Sequence, residues 1–111
     1  MAITLTQEIL QTSYTLLRQT QPFNRLKLPP ASQVKFQILR GKSVSGDHCH
    51  WNGKHHIRIS AAKHHTLSAV IMTMAHEMCH VADSSKSAHG AQFNRLADRV
   101  CKWHGFDRGQ F

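Results

Sequence analysis

The 111-residue sequence predicts a small α+β fold with an N-terminal helix, about three antiparallel strands and two further helices. In the middle of the chain, apolar residues recur at every second position on both sides of an Asn52-Gly53 dipeptide, which is typical of a two-residue hairpin. Towards both ends the apolar spacing changes to three and four residues, as in amphipathic helices. A chain of this length holds one modest core, which predicts a single domain over residues 1–111.

The N-terminal helix is predicted from a capping box, in which Thr4 is the N-cap and Gln7 follows three residues later. Its apolar stripe continues to about residue 19 and consists of Leu5, Ile9, Leu10, Leu16 and Leu17. Prolines between residues 21 and 32 then break any helix and indicate an ordered, extended connection. We expect the helix to cover one side of the sheet.

The strands are predicted from alternation of apolar and polar residues. The first strand has apolar residues at every second position, namely Val34, Phe36 and Ile38. Two further strands, at residues 47–51 and 54–60, flank the predicted turn, and Ile57 and Ile59 face the same side of the second one. This pattern predicts a sheet with one buried and one wet face.

The most informative stretch is His76-Glu77-Met78-Cys79-His80. On a helix the two histidines lie one turn apart on the same face, so they can share one metal ion. Glu77 lies one residue further round, where its carboxylate can reach a metal-bound water. This is the zincin arrangement. Residues 67–75 before it are apolar nearly all round, which predicts a helix buried in the middle of the domain.

A candidate third ligand, His89, follows a polar, turn-forming run at residues 83–87. It begins a predicted C-terminal helix that ends before Gly105 and whose buried stripe consists of Phe93, Leu96, Ala97, Val100 and Cys101. Packing this stripe against the helix that carries His76 and His80 would bring His89 over these two histidines. Catalytic zinc sites use three protein ligands and leave a fourth position to water.

The HExxH stretch, a short polar connection and then His89-Gly90-Ala91-Gln92-Phe93 resemble the SprT-like metalloprotease domain. The upstream elements have a similar order, so the resemblance extends from about residue 5 to 104. It implies that His76, His80 and His89 bind Zn²⁺, that Glu77 is the general base, and that the substrates are proteins attached to DNA. Many relatives also carry a C-terminal zinc ribbon of four cysteines, and this sequence resembles a minimal form without one.

The charge balance points to a polyanionic partner. Fourteen Lys and Arg residues against six Asp and Glu give a net charge of +8 and a sequence pI near 10.0. Such a protein attracts nucleic acid, although a basic surface can also be merely solvated. The best local candidates for DNA contacts lie off the apolar stripe of the last helix, close to Trp103, and are Arg95, Arg99, Lys102 and Arg108.

Cysteine usage and the termini predict the compartment. Three cysteines without CxxC spacing argue against a disulfide framework, and Cys79 and Cys101 fall at helical core positions. The sequence has no stretch of eighteen apolar residues and no secretory signal pattern. We therefore expect a cytoplasmic, DNA-associated or nucleoid-associated protein without a membrane partner.

Two alternatives remain open at this stage. Asp47-His48-Cys49-His50 before a tight turn resembles the start of an HNH or ββα-metal nuclease, in which a strand histidine activates water beside a metal-binding carboxylate. The other alternative is a non-catalytic, zinc-stabilised nucleic-acid-binding module. For the protease hypothesis, Tyr14 and His104 are the candidates for stabilising an oxyanion.

Overall fold

The computed structural model describes residues 3–41, 43–63, 66–83 and 89–111. Within them, the chain forms α1, β1, β2, β3, α2 and α3 in that order, and the α+β class is confirmed. The elements span α1 Gln7–Arg18, β1 Val34–Leu39, β2 Gly46–Trp51, β3 Lys54–Ser60, α2 Leu67–Ala82 and α3 Ala91–His104. The predicted extended connection contains two short 3₁₀ turns, at Phe23–Arg25 and Ala31–Gln33.

The sheet is mixed, with the strand order β1-β3-β2. β2 and β3 form the predicted antiparallel hairpin, whose turn residues Asn52 and Gly53 have φ of 55° and 78°, as a type I′ turn requires. β1 instead pairs in parallel with β3, so the prediction of an antiparallel sheet is wrong for this strand. The chain reverses once between β1 and β2 and again at the hairpin, and these two reversals restore the original direction.

The core lies between the helices and one face of the sheet. Ile57 and Ile59 of β3 are fully buried and are the register partners of Phe36 and Ile38 in β1. The ring of Phe36 meets that of Tyr14 in α1 edge to face, with centroids 5.5 Å apart. On the opposite face, polar side chains such as Lys35 and Gln37 are exposed, so the predicted wet face is confirmed.

The start of α1 differs from the predicted capping box. The N-cap is Thr6 rather than Thr4, and its hydroxyl accepts a hydrogen bond from the Ile9 amide at 3.2 Å. Gln7 does not return to the backbone of the cap but donates to the carbonyl of Phe36 at 2.7 Å, which ties the helix to β1. The predicted stripe is also wrong at Leu16, which is 57% exposed.

The two later helices follow their predictions more closely. α2 is central, since it packs against α1, α3, β2 and β3. The five predicted stripe residues of α3 are all buried, and Gly105 ends the helix in the left-handed region with φ of 76°. Cys79 and Cys101 are buried free thiols, as expected. None of the described helices is long and apolar enough to cross a membrane.

Candidate metal centre

α2 positions the first two histidines and the glutamate of the site. The helix begins after Thr66, whose hydroxyl caps the Ala69 amide at 3.2 Å. His76 and His80 then lie one turn apart on one side, with ring centroids 5.1 Å from each other. Glu77 between them is only 4% exposed. The helical period alone therefore sets the relative positions of these three side chains.

His89 completes the group from outside the helix. It directly precedes Gly90, the N-cap of α3, and has a φ of 58°, in the left-handed region. Its Nε2 lies 3.1 Å from Nε2 of His80 and 3.3 Å from Nε2 of His76. The predicted polar connection is described only at Asp83, which caps the C-terminus of α2, since residues 84–88 lie outside the described part of the chain.

The spacing of these nitrogens, together with the lowered pKa of His76 and His80, fits a metal ion. Donors at 2.0–2.1 Å from a tetrahedral zinc are about 3.3–3.4 Å apart, close to the observed separations. Burial, followed by the neighbouring His76 and His89, lowers the pKa of His80 to about 4. Burial also lowers the pKa of His76. Neutral imidazoles carry free lone pairs, so this group of three histidines could hold a metal ion.

Phe93 of α3 is the common support of the three imidazoles. Its ring is 98% buried, and its centroid lies 4.5 Å from that of His80, 4.7 Å from that of His89 and 5.2 Å from that of His76. One buried side chain thus limits the rotation of all three rings. A buried core residue therefore supports the convergence of these three more accessible rings.

The C-terminal segment after Gly105 also contacts the site, which sequence reasoning missed. Nδ1–H of His76 donates to the backbone oxygen of Phe111, and the ring centroids of these two residues lie 5.2 Å apart. Because this oxygen accepts the hydrogen bond, the hydrogen lies on Nδ1 and the lone pair on Nε2, toward His89. The signal available in the sequence was Phe106 and Phe111 in an otherwise polar tail.

A cavity of about 170 Å³ opens beside His76 and Glu77. It lies between β2, α2 and the C-terminal segment, and its remaining wall is formed by Ser45, Gly46, Met72, Thr73, Gln110 and Phe111. A Cβ on Gly46 would come within 2.8 Å of the Arg58 carbonyl oxygen and 3.0 Å of Thr73 Cγ2. Glycine is therefore needed for β2 to approach the metal helix this closely.

A match to a known protein family supports a metal centre at these histidines. The sequence model of the SprT-like family matches residues 7–109, which include both histidine segments. The chain belongs to the SprT-like family. Neither the curated proteins nor the solved structures contain a match to it.

The buried carboxyl group of Glu77 in this SprT-like domain is a weaker acid than an exposed carboxyl group. Burial, with a smaller contribution from Asp47, raises the pKa of Glu77 to about 7. A carboxyl group whose pKa is raised in the folded protein stabilises the fold below its unfolded pKa. That contribution is lost as the pH rises through the folded pKa.

Glu77→Gln should therefore stabilise the metal-free protein in a pH-dependent way. Between pH 5 and pH 8, the difference in unfolding free energy between variant and wild type should move in favour of glutamine by up to roughly 3 kcal/mol. The measurement is urea unfolding of both proteins in the presence of a chelator. If the difference in unfolding free energy between the two proteins did not change with pH, the raised pKa of Glu77 would be contradicted.

The structure does not bring together the carboxylate and histidines of the nuclease alternative. Asp47 lies on the outer face of the sheet, where Arg58 Nε donates to it at 2.7 Å. His48 and His50 alternate with it and point to the inner face, towards α2. Burial, followed by His55, His80 and His50, lowers the pKa of His48 to about 4.

The two oxyanion candidates are engaged in other hydrogen bonds. The Tyr14 hydroxyl donates to the carbonyl of Pro29 at 2.6 Å, and burial raises its pKa to about 12. His104 Nε2 lies 3.0 Å from the hydroxyl of Thr20. Both side chains are directed to the connection between α1 and β1, and neither supports an oxyanion role.

Three of the four basic candidates lie on α3, and the fourth, Arg108, lies after the end of this helix. Arg95, Arg99 and Lys102 are exposed and follow one helical face. Arg99 and Lys102 line a cavity of about 390 Å³ together with Trp103, which is 60% exposed. Arg108 is instead held by Asp98 at 2.7 Å and Asn94 at 2.9 Å, so two neighbouring side chains already engage its guanidinium group.

Proposed function

We propose that this SprT-like domain is a zinc-dependent endopeptidase that cleaves DNA-associated proteins. The observation that carries this proposal is the convergence of the three histidine Nε2 atoms beside a buried glutamate and a cavity. His76, His80 and His89 would hold the ion. Three imidazole donors that leave a position for water are the ligand set of a catalytic rather than a structural zinc site.

When bound, zinc would polarise the scissile carbonyl and lower the pKa of a water molecule towards about 7. Glu77 would accept the proton of that water as the peptide carbonyl is attacked and would then deliver it to the leaving amine. Its place on the cavity wall, next to His76, supports this role. Phe93 and the backbone oxygen of Phe111 would keep the ligand rings oriented.

The shape of the site favours an extended peptide as the substrate. β2 is an edge strand, because among the described strands it pairs with β3 alone. Its first residue, Gly46, lines the same cavity as Glu77, so a chain that adds to this edge would pass the metal centre. The cavity would then receive one of its side chains.

The partner in this proposal is DNA, and the location is the DNA-containing part of the cytoplasm. The net charge of +8 favours a polyanion. Arg99 and Lys102 beside the exposed ring of Trp103 form a surface that could hold phosphates and stack an unpaired base. DNA would bring the protease and its substrate together, so cleavage should be stronger on DNA than in free solution.

Metal removal and DNA addition test the proposal in one cleavage assay. The substrate is a basic DNA-binding protein, and the enzyme is used after chelation, after return of about one equivalent of zinc, and with or without single-stranded DNA. We expect cleavage only in the zinc-loaded enzyme and stimulation by DNA. Zinc uptake without cleavage under any condition would favour the non-catalytic zinc-stabilised module instead.

Two double variants test whether DNA binds at the surface formed by Arg99, Lys102 and Trp103. Arg99→Ala with Lys102→Ala should reduce the stimulation by DNA, because both cations line the cavity beside Trp103. Lys35→Ala with Arg40→Ala removes the same charge from exposed positions in β1 and just after it. Equal loss of stimulation in both pairs would show a non-specific effect of net charge and would contradict this placement of the DNA.

A further inference from the structure

The inner face of the β2–β3 hairpin carries three histidines that the proposed peptidase does not use. His50 is the cross-strand partner of His55, and His48 lies two residues from His50 along β2, so all three point to the same side. The ring of His48 is parallel to that of His80 in α2, with centroids 6.1 Å apart. The cluster therefore lies at the rim of the metal centre.

The nitrogens of this cluster are already close to one another. His48 Nε2 lies 2.7 Å from His55 Nδ1, so the two nitrogens share one hydrogen. His50 stacks on His55 with centroids 4.2 Å apart and an angle of 7° between the rings. Widening the first distance by about half an ångström would give the separation of two donors on one zinc ion. His50 is exposed, so its ring can turn towards the pair.

We propose that His48, His55 and His50 form a second, separate site for a divalent transition metal ion. His48 Nε2 and His55 Nδ1 supply the first two ligands, His50 supplies the third by side-chain rotation, and water completes the coordination. Imidazole donors select zinc, copper or nickel, whereas magnesium and calcium prefer oxygen ligands. On binding, the hydrogen that lies between His48 Nε2 and His55 Nδ1 moves to the other nitrogen of its own ring, so that both nitrogens offer a lone pair to the ion without net loss of a proton.

Occupation of this site would add positive charge beside His80 and obstruct the rim of the cleft. The expected consequence, which rests on the proposed function, is that excess zinc inhibits the peptidase. Binding itself does not depend on peptidase activity, because the three ligands belong to the hairpin and not to the HExxH helix.

Calorimetric titration of the zinc-loaded protein tests the second site directly. We expect wild type to take up about two zinc ions per chain in total, the second with lower affinity. His55→Gln should lose the second binding event, and His50→Gln should weaken it by about tenfold. Since His50 is exposed, the latter variant keeps the test valid if His55→Gln disturbs folding. Ring ¹⁵N shifts of the histidines should identify His48 Nε2 and His55 Nδ1 as ligand atoms.

The matched control is His56→Gln. His56 is the next residue of β3 and points to the opposite face, where its ring lies 5.9 Å from Trp51. This variant should retain both binding events. Uptake of a single ion by wild type, or equal loss of the second ion in His56→Gln, would overturn the site. A protein that binds two ions but cleaves nothing would retain the site and remove only the proposed peptidase.

Discussion

Glu77→Gln should retain zinc and lose turnover by about two to four orders of magnitude. The three candidate ligands are unchanged in this variant, and glutamine has nearly the same shape as glutamate in the buried position. An amide cannot accept the proton of the attacking water, so only the proton-transfer step is lost. The measurement is kcat/KM on a protein or peptide substrate, with the zinc content of each sample determined in parallel.

The chain provides a matched control, because its other glutamate, Glu8, is exposed in the first turn of α1. Glu8→Gln makes the same chemical change away from the metal centre and should leave turnover unchanged. Full activity in Glu77→Gln would remove the general-base mechanism. Equal loss in both variants would indicate that the effect comes from something other than proton transfer at Glu77.

The parts of the fold that the sequence predicted are those set by local rules. The Asn52-Gly53 turn follows from the positive φ angles that these two residues tolerate, and both have them. The position of Gly105 follows from the same preference at a helix end. The proximity of His76 and His80 follows from the period of one helix, without any knowledge of what surrounds it.

The features that the sequence did not predict depend on contacts between distant segments. The direction predicted for β1 was wrong. Alternation of apolar and polar residues indicates a strand, but it does not indicate which strand pairs with it or in which direction. The N-cap is Thr6 rather than Thr4, and Gln7, which was predicted to complete the capping box, bonds instead to Phe36 in another element. The contact between His76 and Phe111 joins residues 35 positions apart. No local pattern specifies such a contact.

The candidate metal centre combines both kinds of information. Its three histidines were predicted, and the structure brings them together. The packing of the α3 stripe against α2 was predicted as well, but two details were not: His89 adopts a left-handed conformation, and Phe93 packs against all three rings. Sequence spacing therefore identified the donors, whereas their orientation depends on the tertiary structure.

His89→Gly should weaken zinc binding by about a hundred-fold or more. A bound zinc ion contributes on the order of 10 kcal/mol in small zinc proteins, so one ligand of three accounts for about 3 kcal/mol. Glycine is the informative replacement because His89 has a φ of 58°, which glycine adopts without strain. The measurement is a competition titration with a chromogenic chelator, and unfolding of the chelated protein is followed by circular dichroism.

His89→Ala is the matched variant, since it removes the same ring but keeps a Cβ in the left-handed region. Both variants should lose zinc equally, but the metal-free alanine protein should be less stable than the glycine protein by about 1 kcal/mol. This difference separates the two roles of His89, because zinc affinity reports the imidazole and stability without zinc reports the backbone. Unchanged zinc affinity in the glycine variant would contradict the assignment of His89 as a ligand. Equal stability of the two metal-free variants would instead contradict the left-handed backbone at the start of α3.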